Sequence, residues 1–197
     1  MLIIGLTGGI GTGKSFVASI FRKLGAEVVE ADKLGHKAFE KGTSTHKKVV
    51  AEFGKRILSP RGLIDRKILA GIVFSDKKKL EKLNRIVHPV IISGICDRIR
   101  SAGKSGILVV DAPLICEAGI TGLMDVLVVV KASKKNQIDR CYKKSGMSRK
   151  DVCKRTACQM PLSAKIRMSD YTVDNNGMKE DTKKQVRKIW QELKKGA

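Results

Sequence analysis

The chain opens on apolar residues at successive positions, Leu2, Ile3, Ile4 and Leu6, bounded by glycines. A continuous rather than alternating run of this length predicts a strand over residues 2–6 that is covered on both faces, as in a parallel sheet. Over residues 14–24 the period changes: Val17, Ile20, Phe21 and Leu24 recur at helical spacing, and Gly25 supplies the stop. Residues 26–30 read as a second strand, closing a strand–loop–helix–strand unit whose crossover is right-handed. Residues 31–106 carry helical periodicity without a convincing strand, broken at residues 41–43, 59–62 and 87–89. This block reads as an inserted helical subdomain. Buried strands return at residues 107–110 and 126–130. Two basic helices follow over residues 134–144 and 148–159, then a short strand at 170–173 and a closing helix over 178–195. No internal repeat or low-complexity linker interrupts the pattern.

At 197 residues the chain suits one well-buried core with insertions better than a string of independent domains. Hydrophobic residues at 42% and charged residues at 30% give the balance of a globular protein. The net charge of +21, from 40 Lys and Arg against 19 Asp and Glu, asks for polyanionic partners: nucleic acid, a membrane surface or phosphate-rich small molecules. Aromatic residues reach only 4% and do not interleave with the basic ones, which disfavours single-strand binding. Much of the excess lysine lies in helical runs such as residues 76–79 and 192–195, which read as solvated faces, so no specific nucleic acid is expected. The five cysteines, Cys96, Cys116, Cys141, Cys153 and Cys158, form no C-x-x-C pair and are odd in number. They fit free thiols in a reducing cytosol. The start has no positively charged segment, and no apolar run approaches the ~18 residues of a spanning helix. A cytoplasmic protein without membrane attachment is expected.

Gly8 to Ser15, GGIGTGKS, match G-x-x-x-x-G-K-S/T between a predicted strand and a predicted helix, the context that gives this motif its meaning. Its glycines allow successive backbone N–H groups to converge on phosphate oxygens at the positive end of a helix. Lys14 is then expected on the terminal phosphates and Ser15 on magnesium. ATP or GTP is the implied ligand, and the absence of an N-K-x-D segment weakens the GTP reading. The loop alone does not separate an ATPase from a kinase.

In sheets of this kind ligands collect beyond the carboxyl ends of the strands. Asp32 follows the second strand, where it reads either as a base accepting a hydroxyl proton or as the cap of the following helix; read alone, the cap is favoured, because Asp is common at strand-to-helix junctions. Asp111 ends the run Ile107, Leu108, Val109, Val110, the form of an acid that holds magnesium directly or through water. Read alone, it is also a turn-forming Asp ahead of Ala112-Pro113; the phosphate loop favours the metal role.

Beyond the loop, the ordered segments EADKLGH, GLIDRKILAGIVF, LNRIVHPVI, VVDAPLICEAGI, VVVKASKKNQIDR, RTACQM and DYTVDNNG span nearly the whole chain. Together with LTGGIGTGKS they resemble the dephospho-CoA kinase family of P-loop nucleoside and nucleotide kinases. The resemblance implies an α/β fold: a three-layer P-loop kinase core with a parallel sheet, a helical acceptor-binding insertion and a lid. It further implies one domain, 1–197, with core segments 1–31, 107–133 and 160–197, an acceptor region 32–106 and a lid 134–159. The implied reaction is ATP-dependent phosphorylation of the ribose 3'-hydroxyl of dephospho-CoA, with Mg2+ and no organic cofactor, in a monomer or weak homo-oligomer. Kinases for other nucleosides or nucleotides, and a nucleic-acid-binding ATPase, are the alternatives.

Carried onto this sequence, the family pattern makes Asp32, Lys14 and Arg140 catalytic. Gly9, Ile10, Gly11, Thr12, Gly13, Lys14, Ser15, Phe16, Arg140, Arg155 and Asn175 are implied to bind ATP. Asp32, Arg66 and His88 are implied to bind the acceptor, and Ser15 and Asp111 the metal. For Arg66 the plain alternative is a solvated arginine; for His88 it is a His-Pro helix start. Asn176 lies beside Asn175 where the family's loop approaches adenine. Two positions depart from the family: Phe16 stands where threonine is usual after Lys-Ser, and Lys144 stands near a usual lid arginine, which lysine does not replace as a planar bidentate group.

Overall fold

A computed structural model of the chain describes residues 1–103 and 105–195. Five strands, β1 (Leu2–Gly8), β2 (Glu27–Glu30), β3 (Ile107–Asp111), β4 (Val126–Lys131) and β5 (Tyr171–Asp174), form one parallel sheet in the order β2-β3-β1-β4-β5. The helices are α1 (Lys14–Lys23), α2 (Ala31–Ala38), α3 (Ser44–Phe53), α4 (Arg66–Val73), α5 (Lys77–Ser101), α6 (Lys134–Ser145), α7 (Arg149–Ala157), α8 (Leu162–Arg167) and α9 (Lys179–Lys195). The chain divides into two compact units, residues 1–30 with 98–197, and residues 31–97.

In the first unit, Ile4 and Leu6 of β1 pack with Val109, Val128, Val130 and Val173 against Val17 and Phe21 of α1 and Val186, Ile189 and Trp190 of α9. The Phe21 and Trp190 rings lie 6.4 Å apart at 55°. The alternate residues Leu108, Val110, Leu127 and Val129 are buried as well. Both faces are therefore covered, which is why the strands read as continuous apolar runs. Leu6 and Glu30 both align with Asp111, and Gly8 aligns with Val130. The carboxyl ends of β1, β2, β3 and β4 thus share one edge of the sheet, where open parallel sheets bind ligands. Among the described residues no helix is long and apolar enough to cross a membrane.

In the second unit, Val49, Phe53, Ile57, Ile64, Leu69, Val73 and Val87 make a separate apolar core. Thr43 caps α3 by accepting from the His46 N–H at 3.0 Å, and Asp65 caps α4 by accepting from Lys67 and Ile68. The breaks expected at residues 41–43 and 59–62 are present, and the only ladder contact described there is an isolated bridge between Leu58 and Ile64.

The expected break at residues 87–89 is absent: α5 continues through Pro89. One missing N–H removes a single bond from a 25-residue helix. Close packing of the helix offsets the loss, with Leu34 of α2 against Gly94 and Ile91 against Gly35. His88 is accordingly a mid-helix residue and not a helix start. The sequence pattern also missed α8, six residues in which Lys165 and Arg167 mask the apolar period.

Candidate active site

The phosphate loop joins β1 to α1, and its shape is imposed by side chains behind it. Gly11 and Gly13 have φ of 72° and 89°, where a β-carbon is strained. Space forbids one too: at Gly11 it would strike the Gln137 carbonyl and lie 2.9 Å from Cys141 Sγ, and at Gly13 it would overlap Asn175 Nδ2. Thr12 closes the turn internally, donating from Oγ1 to the Gly9 carbonyl at 2.9 Å.

Three further side chains fix the loop backbone. Asn175 Nδ2 donates to the Thr12 carbonyl at 2.8 Å, and Arg140 Nη1 donates to the same oxygen at 3.1 Å. From the other side the Ile10 N–H donates to Gln159 Oε1 at 3.1 Å. Asn175 is itself held: its Oδ1 accepts from Thr182 Oγ1 at 2.9 Å, its N–H donates to the Lys131 carbonyl, and its carbonyl accepts from Arg140 Nη2 at 2.6 Å. Asn175 is 5% exposed. Its side chain is thus spent behind the phosphate loop on Thr12 and Thr182. Asn176 instead ties the loop after β5 to α6, accepting from the Ser133 N–H at 2.6 Å.

Lys14, the first residue of α1, donates to Asp111 Oδ1, and Asp111 is only 6% exposed at the end of β3. Ser15 is exposed beside it in the same helical turn. Phe16 is half-buried against the core around α1, with the Lys179 ammonium 5.9 Å from its ring centre.

Asp32 is exposed in the first turn of α2, two residues beyond Glu30. Its carboxylate has no hydrogen-bond or ion-pair partner among the described residues, in contrast to Asp65, which caps α4 with two bonds. The cap alternative therefore fails. Arg66 is exposed at the start of α4, and His88 is half-buried in α5. Arg155 is half-buried on α7, close enough to Cys141 on α6 for its charge to be felt. Burial pushes the Cys141 thiol up, against the pull of Arg155 and Lys144. At Asp174, burial works to raise the carboxyl, but the Asn176 N–H and Lys131 outweigh it and hold it below its ordinary value.

The structure therefore gathers the loop, Lys14, Asp111, Arg140 and Asn175 in one unit, with Asp32, Arg66 and His88 carried on the other. Gln137 and Gln159 were not singled out from the sequence. Gln159 lies in the motif RTACQM, yet only the fold brings it to Ile10.

Five parallel strands in this order, a phosphate loop between β1 and α1, and a buried acid at the end of β3 paired with the loop lysine define a P-loop kinase. The family model described as dephospho-CoA kinase matches residues 2–181. The dephospho-CoA kinase of Aquifex aeolicus is 44% identical over 190 residues, covering 96% of each chain. Among solved structures, a Thermus thermophilus protein superposes with a TM-score of 0.81 at 30% identity, over 98% of this chain and 97% of that one. The dephospho-CoA kinase from Campylobacter jejuni does so at 0.71 and 27%, over 98% of both. The chain belongs to the dephospho-CoA kinase family.

Proposed function

We propose that the chain transfers the γ-phosphoryl group of ATP to the ribose 3'-hydroxyl of dephospho-CoA, giving coenzyme A and ADP in the last step of coenzyme A synthesis. The observation that carries the chemistry is the Lys14–Asp111 pair at the foot of a loop whose backbone is held by Asn175 and Arg140 at the Thr12 carbonyl and by Gln159 at the Ile10 N–H. Phosphoryl transfer needs mainly positioning and charge stabilisation, and these are the groups that supply both.

The donor set suits Mg2+. Ser15 and Asp111 offer hard oxygen ligands, and no group of three or more His, Cys, Asp or Glu is present among the described residues to make a full protein cage. Magnesium takes one or two protein oxygens and draws the rest from phosphates and water. Bound there, it would supply neutralisation of the β- and γ-phosphate oxygens. Lys14 holds the same phosphates from the loop, and Arg140 and Arg155 contribute positive charge from the α6–α7 lid. Asp32, exposed and without a partner among the described residues, accepts the 3'-hydroxyl proton as that oxygen bonds to the γ-phosphorus and the bond to the β-phosphate oxygen breaks. Arg66 and His88 hold the acceptor within the 32–106 insertion. The free cysteines support a cytoplasmic enzyme.

The test is incubation with Mg·ATP and a panel of acceptors. Dephospho-CoA is expected to be phosphorylated at the 3'-position in preference to free nucleosides and nucleotides. Phosphorylation of those with none of dephospho-CoA would overturn the substrate. ATP hydrolysis stimulated by nucleic acid would instead support the ATPase alternative, which family membership disfavours.

A further inference from the structure

Lys165 on α8 is completely buried, which is rare for a lysine unless its charge is matched. Its ammonium donates to the Pro113 carbonyl at 2.7 Å and pairs with Glu117 Oε1 at 2.8 Å. Neither residue has a place in the phosphoryl-transfer step above. Stability alone is a poor reason for the pair, because well-packed apolar residues commonly replace buried ion pairs without loss. Glu117 Oε2 moreover has no hydrogen-bond partner among the described residues.

What the pair touches is more informative. Pro113 lies two residues past Asp111, and its carbonyl also accepts from Thr7 Oγ1 of β1 at 3.1 Å. Between them, the Ala112 N–H donates to the Leu6 carbonyl. Glu117 Oε1 also accepts the Met160 N–H at 2.9 Å. Met160 directly follows Gln159, whose side chain holds the Ile10 N–H of the phosphate loop. One buried ammonium therefore ties together the segment behind Asp111 and the segment behind Gln159.

We propose that Lys165 is a positioning residue for the nucleotide site. Through Pro113 it fixes the end of β3, and hence the Asp111 carboxylate; through Glu117 and Met160 it fixes Gln159 against Ile10. Groups that orient a metal-binding carboxylate from behind commonly change metal affinity or activity roughly 10–100-fold when removed. The inference rests on the assignment of Asp111 to Mg·ATP in the proposed function, and it is independent of which hydroxyl is the acceptor.

Lys165→Met alone strands the Glu117 carboxylate and is prone to misfolding. The decisive variant is Glu117→Gln/Lys165→Met, which removes both charges and keeps an acceptor for the Met160 N–H. Calorimetric titration with ATP, with and without Mg2+, is read beside steady-state kinetics and thermal melting. The expected result is a folded variant with a melting temperature near the parent's. Its Mg·ATP affinity and kcat each fall roughly tenfold or more, while the KM for dephospho-CoA is unchanged. A folded variant with parental Mg·ATP affinity and kcat would reduce the pair to a core staple and overturn the proposal. If the double variant does not fold, Lys165→Gln carries the test, since its amide keeps a neutral donor facing Glu117 but ends one bond short of the ammonium that holds the Pro113 carbonyl. A raised Mg·ATP dissociation constant then supports the proposal and a parental one overturns it. Failure of the parent to phosphorylate dephospho-CoA would overturn the substrate and leave the calorimetric result standing.

Discussion

Asn175→Ala tests whether the phosphate loop is held from behind. The substitution removes the Asn175 Nδ2 bond to the Thr12 carbonyl, leaving that oxygen to Arg140, and it deletes the acceptor of Thr182 Oγ1. An intramolecular hydrogen bond is worth about 1 kcal/mol net, and a buried donor left without a partner costs about 1–3 kcal/mol. Thr182 is fully buried, so its hydroxyl has no recourse to bulk water. The sum is about 2–4 kcal/mol, or roughly 4–16 °C of melting temperature at this size. Denaturant unfolding and ATP calorimetry measure the two consequences: a less stable protein and a loop that binds ATP more weakly. The double variant Asn175→Ala/Thr182→Val separates the contributions. Without the stranded hydroxyl it is expected to be more stable than Asn175→Ala alone by about 1 kcal/mol or more. A double variant no more stable than the single one, or Asn175→Ala with parental ATP affinity, would refute the reasoning.

Asp32→Asn is expected to leave ATP binding nearly intact and to lower turnover by about 10² or more, the usual worth of a general base; normal turnover would remove Asp32 from the chemistry. Gly11→Ala combines strain at φ 72° with a clash at Gln137 and Cys141, whereas Gly119→Ala meets strain at φ 67° with nothing within 4 Å. The first should lose about 2–5 kcal/mol and the second about 1–2 kcal/mol by thermal or denaturant unfolding, and equal losses would show that the clash is relieved. Asp174 is more acidic folded than its ordinary value of 3.8. Its contribution is therefore present above that value and lost as pH falls through the lower folded one, a window below about pH 4. Melting curves across that window should be steeper in pH for the parent than for Asp174→Asn, and parallel slopes would exclude Asp174 as a stabilising group.

The positions of the strands and most helices were legible because buried parallel strands and amphipathic helices leave continuous and 3.6-period patterns that need no partner to be seen. The phosphate loop was legible for a different reason: its glycines serve a backbone conformation that only local sequence can permit. At Pro89 and α8 the local signal misled, because packing by Leu34 and Ile91 overrides one lost helix bond, and because a buried lysine looks like a surface one.

The sequence by itself determined a phosphate-loop motif from Gly8 to Ser15 between a strand and a helix, and the ordered motifs carried the family likeness. Only the tertiary structure decided what holds that loop and what each polar residue is free to do. Asn175, Gln159, Glu117 and Lys165 converge from positions up to 163 residues apart from the groups they touch, and no periodicity records such pairings. Asp32 and Asp65 show the same limit at short range: each Asp stands at a helix start, yet only hydrogen-bond geometry spends the carboxylate of Asp65 on its helix and leaves that of Asp32 available.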